Sequence, residues 1–181
     1  MAVGSKLFSL LALLTAAQIG VPSPATQTPA AGTSGQSEEH RSQRGELRKV
    51  VRVVDGDTIV VSPNEKVRLI GVDTPETSHP RKAVECFGKA AKDFTQSAVE
   101  GKTVHLVLDE INRSRRHKDR YGRTLAYVFL ENGTMLNREL IRQGYGHAYT
   151  RFPFHYLVEF RQIERAARTQ GLGLWTSCRI Q

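Results

Sequence analysis

Val50-Val51-Arg52-Val53-Val54-Asp55-Gly56-Asp57-Thr58-Ile59-Val60-Val61 decides the fold. Two β-branched runs flank an Asp-Gly pair, which is the pattern of two strands joined by a turn. Ser62-Pro63-Asn64-Glu65 supplies the next turn, and residues 66–70 read as a third strand. In that strand Arg68 points to the face opposite Val67 and Leu69, because side chains alternate. Residues 103–108 alternate, with Val104, Leu106 and Leu108 on one face, and residues 124–130 form a fifth strand ending at Asn132-Gly133.

Helical spacing fills the gaps. Phe87, Ala91, Phe94 and Ala98 make one apolar stripe, so a helix is expected over 86–99. Leu136, Leu140 and Ile141 mark a short helix that stops at Gly144. Tyr156, Phe160, Ile163 and Ala167 place a last helix over 154–168, with Gly171 ending it and Trp175 packing back on the core. Five strands with a helix inserted after the third fit an α+β fold, a five-stranded Greek-key barrel of the OB type with three helices.

The flanks read differently. Lys6 precedes an apolar run over residues 7–14, followed by Thr15-Ala16-Ala17. A charged start, a short apolar core and small residues make a secretory signal over 1–17, with cleavage expected after Ala17. The run is shorter than the roughly twenty apolar residues that span a bilayer. Residues 18–45, rich in Pro, Ala, Thr, Ser, Gly and Gln, read as a disordered linker. The folded unit is expected over 46–181, in a secreted or periplasmic protein with no membrane attachment once the signal is removed. The 181-residue chain has a formal net charge of +8. Such a balance favours polyanionic partners, nucleic acid before anionic membrane.

Chemistry concentrates in two motifs and a turn. Asp55-Gly56-Asp57-Thr58 and Val67-Arg68-Leu69-Ile70-Gly71-Val72-Asp73-Thr74-Pro75-Glu76 hold four carboxylates and an arginine, and Asp119-Arg120-Tyr121-Gly122-Arg123 adds a second arginine. A hard cation takes oxygen ligands, and a phosphate takes the planar donor fork of arginine. Together they read as a metal-dependent phosphodiesterase. Each part has a plainer reading: Asp-Gly-Asp as a turn, Arg68 as a strand-surface residue, Arg123 as one charge in a solvated basic loop with Arg113, Arg115, Arg116, Lys118 and Arg120. The histidines at 40, 79, 105, 117, 147 and 155 show no ligand spacing, so no zinc site is expected.

Val54-Asp55-Gly56-Asp57-Thr58, Arg68-Leu69-Ile70-Gly71-Val72-Asp73-Thr74-Pro75-Glu76, Tyr121-Gly122-Arg123-Thr124-Leu125-Ala126-Tyr127 and Ile141-Arg142-Gln143-Gly144 resemble the staphylococcal nuclease family, in the same order and across residues 47–175. The resemblance implies an OB barrel with three helices, and hydrolysis of DNA and RNA with Ca²⁺ to 3′-phosphate products. It implies Asp57, Asp73 and the Thr74 carbonyl as metal ligands, with Asp55 behind them orienting a water. Glu76 would be the base or positioner of the attacking water, and Arg68 and Arg123 would grip the phosphate. Lys82, Arg120, Tyr121 and Tyr149 would contact substrate, either tyrosine having a core position as its alternative. Where the family has a second pocket tyrosine this chain has Arg151, with Phe152 next to it. A monomer is expected. The competing function class is a non-catalytic nucleic-acid-binding module on the same barrel, and retention of all five charged positions favours the enzyme.

Cys86 and Cys178 are the only cysteines. An even count in a chain expected to be exported suggests a bridge. Two unrelated thiols are the alternative.

Overall fold

A computed structural model of the chain describes residues 45–77 and 83–178. The expected signal, nearly all of the expected linker, His79 and Lys82 lie outside the described residues.

The first strand, β1 (Glu46–Asp55), is longer than its β-branched run because it serves two partners. Its first half pairs antiparallel with β5 (Thr103–Val107), Glu46 opposite Leu106 and Lys49 opposite Thr103. Its second half pairs antiparallel with β2 (Thr58–Val61), Val50 opposite Val61 and Asp55 opposite Thr58. Two register shifts within the second half bend the strand, as bulges do. β3 (Glu65–Leu69) then pairs with β2 on one side and, in parallel, with β6 (Thr124–Phe129) on the other. β6 returns to β5, and the barrel closes in the order β1-β2-β3-β6-β5. This is the expected OB-type α+β architecture. Outside the barrel, β4 (Val72–Asp73) pairs with β7 (His147–Ala148), a two-stranded ribbon that the periodicity did not indicate.

The expected helices are α1 (Gly88–Val99), α2 (Leu136–Arg142) and α3 (Leu157–Thr169). A fourth, α4 (Leu174–Ser177), and a 3-10 helix (Glu110–Arg115) were not indicated. Helix α1 begins two residues after Cys86 because Phe87 takes a left-handed conformation, φ 68°. Strand β5 stops before Leu108, which is exposed rather than on the buried face.

Val50, Ile59, Val61, Val67, Leu69, Val104, Ala126 and Val128 are buried in the core, together with Leu136, Leu140, Ile141 and Phe160 from the helices. Burial of this apolar surface is the main force holding barrel and helices together. Asn137 is fully buried and satisfies three backbone groups: it accepts from the Val128 amide and donates to the Ile70 and Ala126 carbonyls. The Thr95 hydroxyl donates to the Gly56 carbonyl at 2.6 Å, tying α1 to the Asp55–Asp57 turn. Cys86 and Cys178 form a disulfide with Cα atoms 5.8 Å apart. Trp175 is partly buried, its ring edge-on to His147 and beneath the Arg168 guanidinium. No helix among the described residues is long and apolar enough to cross a membrane.

Candidate active site

The turn between β1 and β2 buries Asp55 and Asp57. Gly56 is what allows it: a Cβ there would lie 2.8 Å from the Thr74 side chain, so any larger residue would push the two acidic segments apart. With glycine, the Thr74 amide donates to Asp57 Oδ2 at 2.9 Å and the Thr58 hydroxyl donates to Asp57 Oδ1 at 2.9 Å. On the far side of the acidic segment a Cβ at Gly146 would come within 3.0 Å of the Asp73 carbonyl.

Arg68 does leave β3 on the face opposite Val67 and Leu69. Its Nη1 lies 2.9 Å from Asp57 Oδ2 and donates to the Val72 carbonyl at 2.7 Å, while Nη2 donates to Asp73 Oδ1 at 2.8 Å. One guanidinium therefore bridges the two carboxylates. Asp73 is half exposed, yet its carboxyl is pushed above the usual range by partial burial and by the Asp57 charge, with Arg68 acting against both.

Glu76 follows on the same segment. Partial burial, a hydrogen bond to Asp55 and the charges of Asp55 and Asp57 push its carboxyl up to about 7, against the pull of Arg68. The residue as a whole is solvent-exposed, so the neighbouring carboxylates are the firmer cause. Asp55 Oδ1 accepts from the Thr77 hydroxyl at 3.0 Å and from the Gly56 amide at 3.1 Å, and its Oδ2 accepts from the Thr77 amide at 3.3 Å. Its place in the structure is that of an anchor for the loop that carries Glu76.

Arg123 is fixed by its own turn. Asp119 Oδ1 accepts from the Tyr121 and Arg123 amides at 2.8 and 2.9 Å, and Oδ2 accepts from Arg123 Nε at 2.7 Å. Burial raises the Asp119 carboxyl, but these bonds outweigh it and hold the group below its usual value. Arg123 Nη1 reaches the Thr58 hydroxyl at 3.4 Å. A polar path thus runs Arg123–Thr58–Asp57–Arg68–Asp73. The ion pair with Asp119 separates Arg123 from the blander basic loop around it.

Arg68, Asp73, Glu76, Arg120, Tyr121, Arg123 and Tyr149 line one cleft of about 520 Å³. Tyr121 and Tyr149 are exposed, which excludes a core role for either. The Arg120 and Arg123 guanidinium carbons lie 4.7 and 5.2 Å from the Tyr121 ring centre. Arg151 and Phe152 line the same cleft, and Arg115 sits over the Phe152 ring at 5.6 Å. Arg115, read from the sequence as one charge of the basic loop, also lines the cleft, and Asp119 is a part of the site that the motif reading left without a role; the i,i+4 pair Asp119/Arg123 was the available signal for it.

Among the described residues no three His, Cys, Asp or Glu side chains gather at metal-ligating geometry. A hard cation is nevertheless compatible with what is present. The donors are oxygens only, Asp57 and Asp73 flank one cationic group at 2.9 and 2.8 Å, and the buried Thr74 hydroxyl has no hydrogen-bond partner. Water completes such shells readily.

Residues 66–177 match the family model described as staphylococcal nuclease homologue. Similar chains include the thermonuclease of Staphylococcus intermedius, 42% identical over 73% of this chain and 77% of the relative. The thermonuclease of Staphylococcus hyicus is 40% identical over 71% of this chain and 75% of its own length. An SPbeta prophage-derived endonuclease of Bacillus subtilis is 34% identical over 69% of this chain, which spans 42% of that longer protein. By its fold, its motifs and these matches, the chain belongs to the staphylococcal nuclease family.

Proposed function

We propose that this chain is a calcium-dependent, sugar-nonspecific nuclease, exported and monomeric, that hydrolyses phosphodiester bonds of DNA and RNA to 3′-phosphate products. The nuclease class follows from the relatives, which are named thermonucleases and an endonuclease. The observation that carries the finer reading is the Arg68 bridge between Asp57 and Asp73, with Glu76 and Arg123 on the same cleft. Export is supported by the signal-like N-terminus and the Cys86–Cys178 bond. A single chain supplies every site residue named, so the chemistry needs no second copy.

Asp57, Asp73 and the Thr74 carbonyl would hold calcium, which when bound supplies positive charge and Lewis acidity to the scissile phosphate. Arg68 and Arg123 approach the phosphate with donor forks, and their bonds strengthen as charge grows on its non-bridging oxygens. The Glu76 carboxylate accepts a proton from the attacking water. Asp119 holds Arg123, and Asp55 holds the Glu76 loop through Thr77. Tyr121 and Tyr149 offer exposed rings to a nucleotide without reading its identity. Arg120 would meet a neighbouring phosphate, and Lys82, outside the described residues, is a substrate contact only by the family resemblance.

Product ends test this reading. New 5′ ends should be hydroxyls that polynucleotide kinase labels directly, for DNA and RNA oligonucleotides alike. New 5′-phosphates would contradict it, and tight binding without cleavage would favour the binding module.

A further inference from the structure

Glu76 must be held where its carboxylate meets a water, yet it sits on an exposed loop beyond the two-residue strand β4. The segment just before α1 grips its backbone. The Glu85 amide donates to the Glu76 carbonyl at 3.0 Å, and Glu85 Oε2 accepts from the Glu76 amide at 3.1 Å. One residue thus satisfies both backbone groups of Glu76. Gly88 presses on the same point, since a Cβ there would lie 2.9 Å from the Glu76 carbonyl and 3.0 Å from that of Pro75.

The grip is exposed, and an exposed hydrogen bond competes with water, so it orders a loop only if its own segment is held. Three features hold it. Cys86, next in sequence, is bonded to Cys178 beyond α4. Phe87 is a non-glycine residue at φ 68°, a conformation that persists where surroundings enforce it. Its ring lies 5.5 Å from Tyr145. The disulfide therefore ties down the residue adjoining the one that fixes Glu76.

We infer that Glu85 is a positioning residue for Glu76, and that the Cys86–Cys178 bond braces Glu85 from behind, so that the disulfide supports turnover as well as stability. This rests on the role proposed for Glu76. The path runs from Cys178 through Cys86 and Glu85 to the Glu76 backbone, and it touches neither Arg68 nor Arg123. Loss of any link should therefore lower kcat and leave substrate binding nearly unchanged.

The test uses the full chain with calcium and a single-stranded oligonucleotide, at a temperature where every variant is folded by circular dichroism. Glu85→Ala should lower kcat about tenfold or more, because small misplacements of a reacting group are costly, with KM within about twofold. Glu85→Gln should recover most of the loss, since its amide oxygen still accepts from Glu76. The double variant Cys86→Ser/Cys178→Ser should lose kcat in the same direction. In a Glu76→Gln background neither change should lower kcat further, and an additive loss there would overturn the inference. A second measurement needs no activity: amide hydrogen exchange at Glu76 in the metal-free protein should speed up about tenfold in Glu85→Ala and in the cysteine variant. Unchanged exchange in both would overturn the brace. Wild-type turnover in Glu76→Gln alone would refute the role of Glu76 while leaving the exchange result to decide whether Glu85 clamps the loop.

Discussion

In the proposed reading Glu76 and Arg123 carry different parts of the chemistry, and substitutions can separate them. Glu76→Gln keeps size and removes the proposed proton acceptor, and Arg123→Ala removes the proposed phosphate donor. Each should lower kcat by at least ~10², the usual scale for one such group. Both should stay folded, because Glu76 is exposed and Arg123 lies at the cleft. Wild-type turnover in Arg123→Ala would return that arginine to the solvated basic loop. The pH profile tests the base. In the metal-free cleft a carboxyl raised to about 7 is largely protonated in mildly acidic solution, and a bound cation draws it down, so kcat/KM should climb as pH rises from the acid side. An optimum near pH 5 would argue against Glu76 as the acceptor. At this scale the sequence was informative where chemistry is packed into short motifs: Asp57, Arg68, Asp73 and Glu76 fall within twenty residues, the first three meet in ion pairs, and Glu76 feels the Asp57 and Arg68 charges. Glu85 was silent because it lies nine residues from Glu76, in no motif, and acts through backbone atoms.

Strands and helices were legible in proportion to their length. β2 showed through its β-branched run, β3 and β5 through alternation and the helices through apolar stripes, whereas β4, β7 and α4 span two, two and four residues and carry no such pattern. Yet the β4–β7 ribbon is what seats Asp73. The buried junction of Asp109, which accepts from the Tyr127 hydroxyl and the His155 amide, is also invisible in sequence, since its members are far apart along the chain. Glu65, at the start of β3, shows how elements are stitched at the surface. It pairs with Arg48 of β1 and with Lys118, and accepts from Thr124 of β6. The Thr124 bond, opposed by burial and aided by Lys118 and Arg48, holds its carboxyl below the usual 4.5. A depressed folded-state pKa means stability that is present above 4.5 and lost as pH falls through the lower folded value. Glu65→Gln should therefore flatten the acid limb of urea stability below pH 4.5, by about 1 kcal/mol or less for so exposed a pair. Acid limbs of equal slope would show that Glu65 contributes nothing there.

At the scale of the whole molecule, one covalent link and one charge balance frame the fold. The Cys86–Cys178 bond spans 92 residues and ties the start of α1 to the chain beyond α4. Closing a loop of that size is worth roughly 4.6 kcal/mol in the chain-entropy model. Reduction should lower Tm by about ten degrees or more, measured by calorimetry with and without dithiothreitol. An unchanged Tm would mean that the barrel and helices hold without it. The sequence pointed to this bridge by an even count and expected export alone, just as the net charge of +8 pointed to a polyanion. Neither could say that the bridge lies one residue from the grip on Glu76.

The most direct measurement is degradation of single-stranded DNA by the purified chain, first with Ca²⁺ and then with excess chelator. Under the proposed reading the chain should cut the DNA with Ca²⁺, stop when chelator is added, and resume when Ca²⁺ is restored. Cutting that continues undiminished in chelator, or binding without any cutting in Ca²⁺, would contradict the calcium-dependent nuclease built on Asp57, Asp73, Glu76, Arg68 and Arg123.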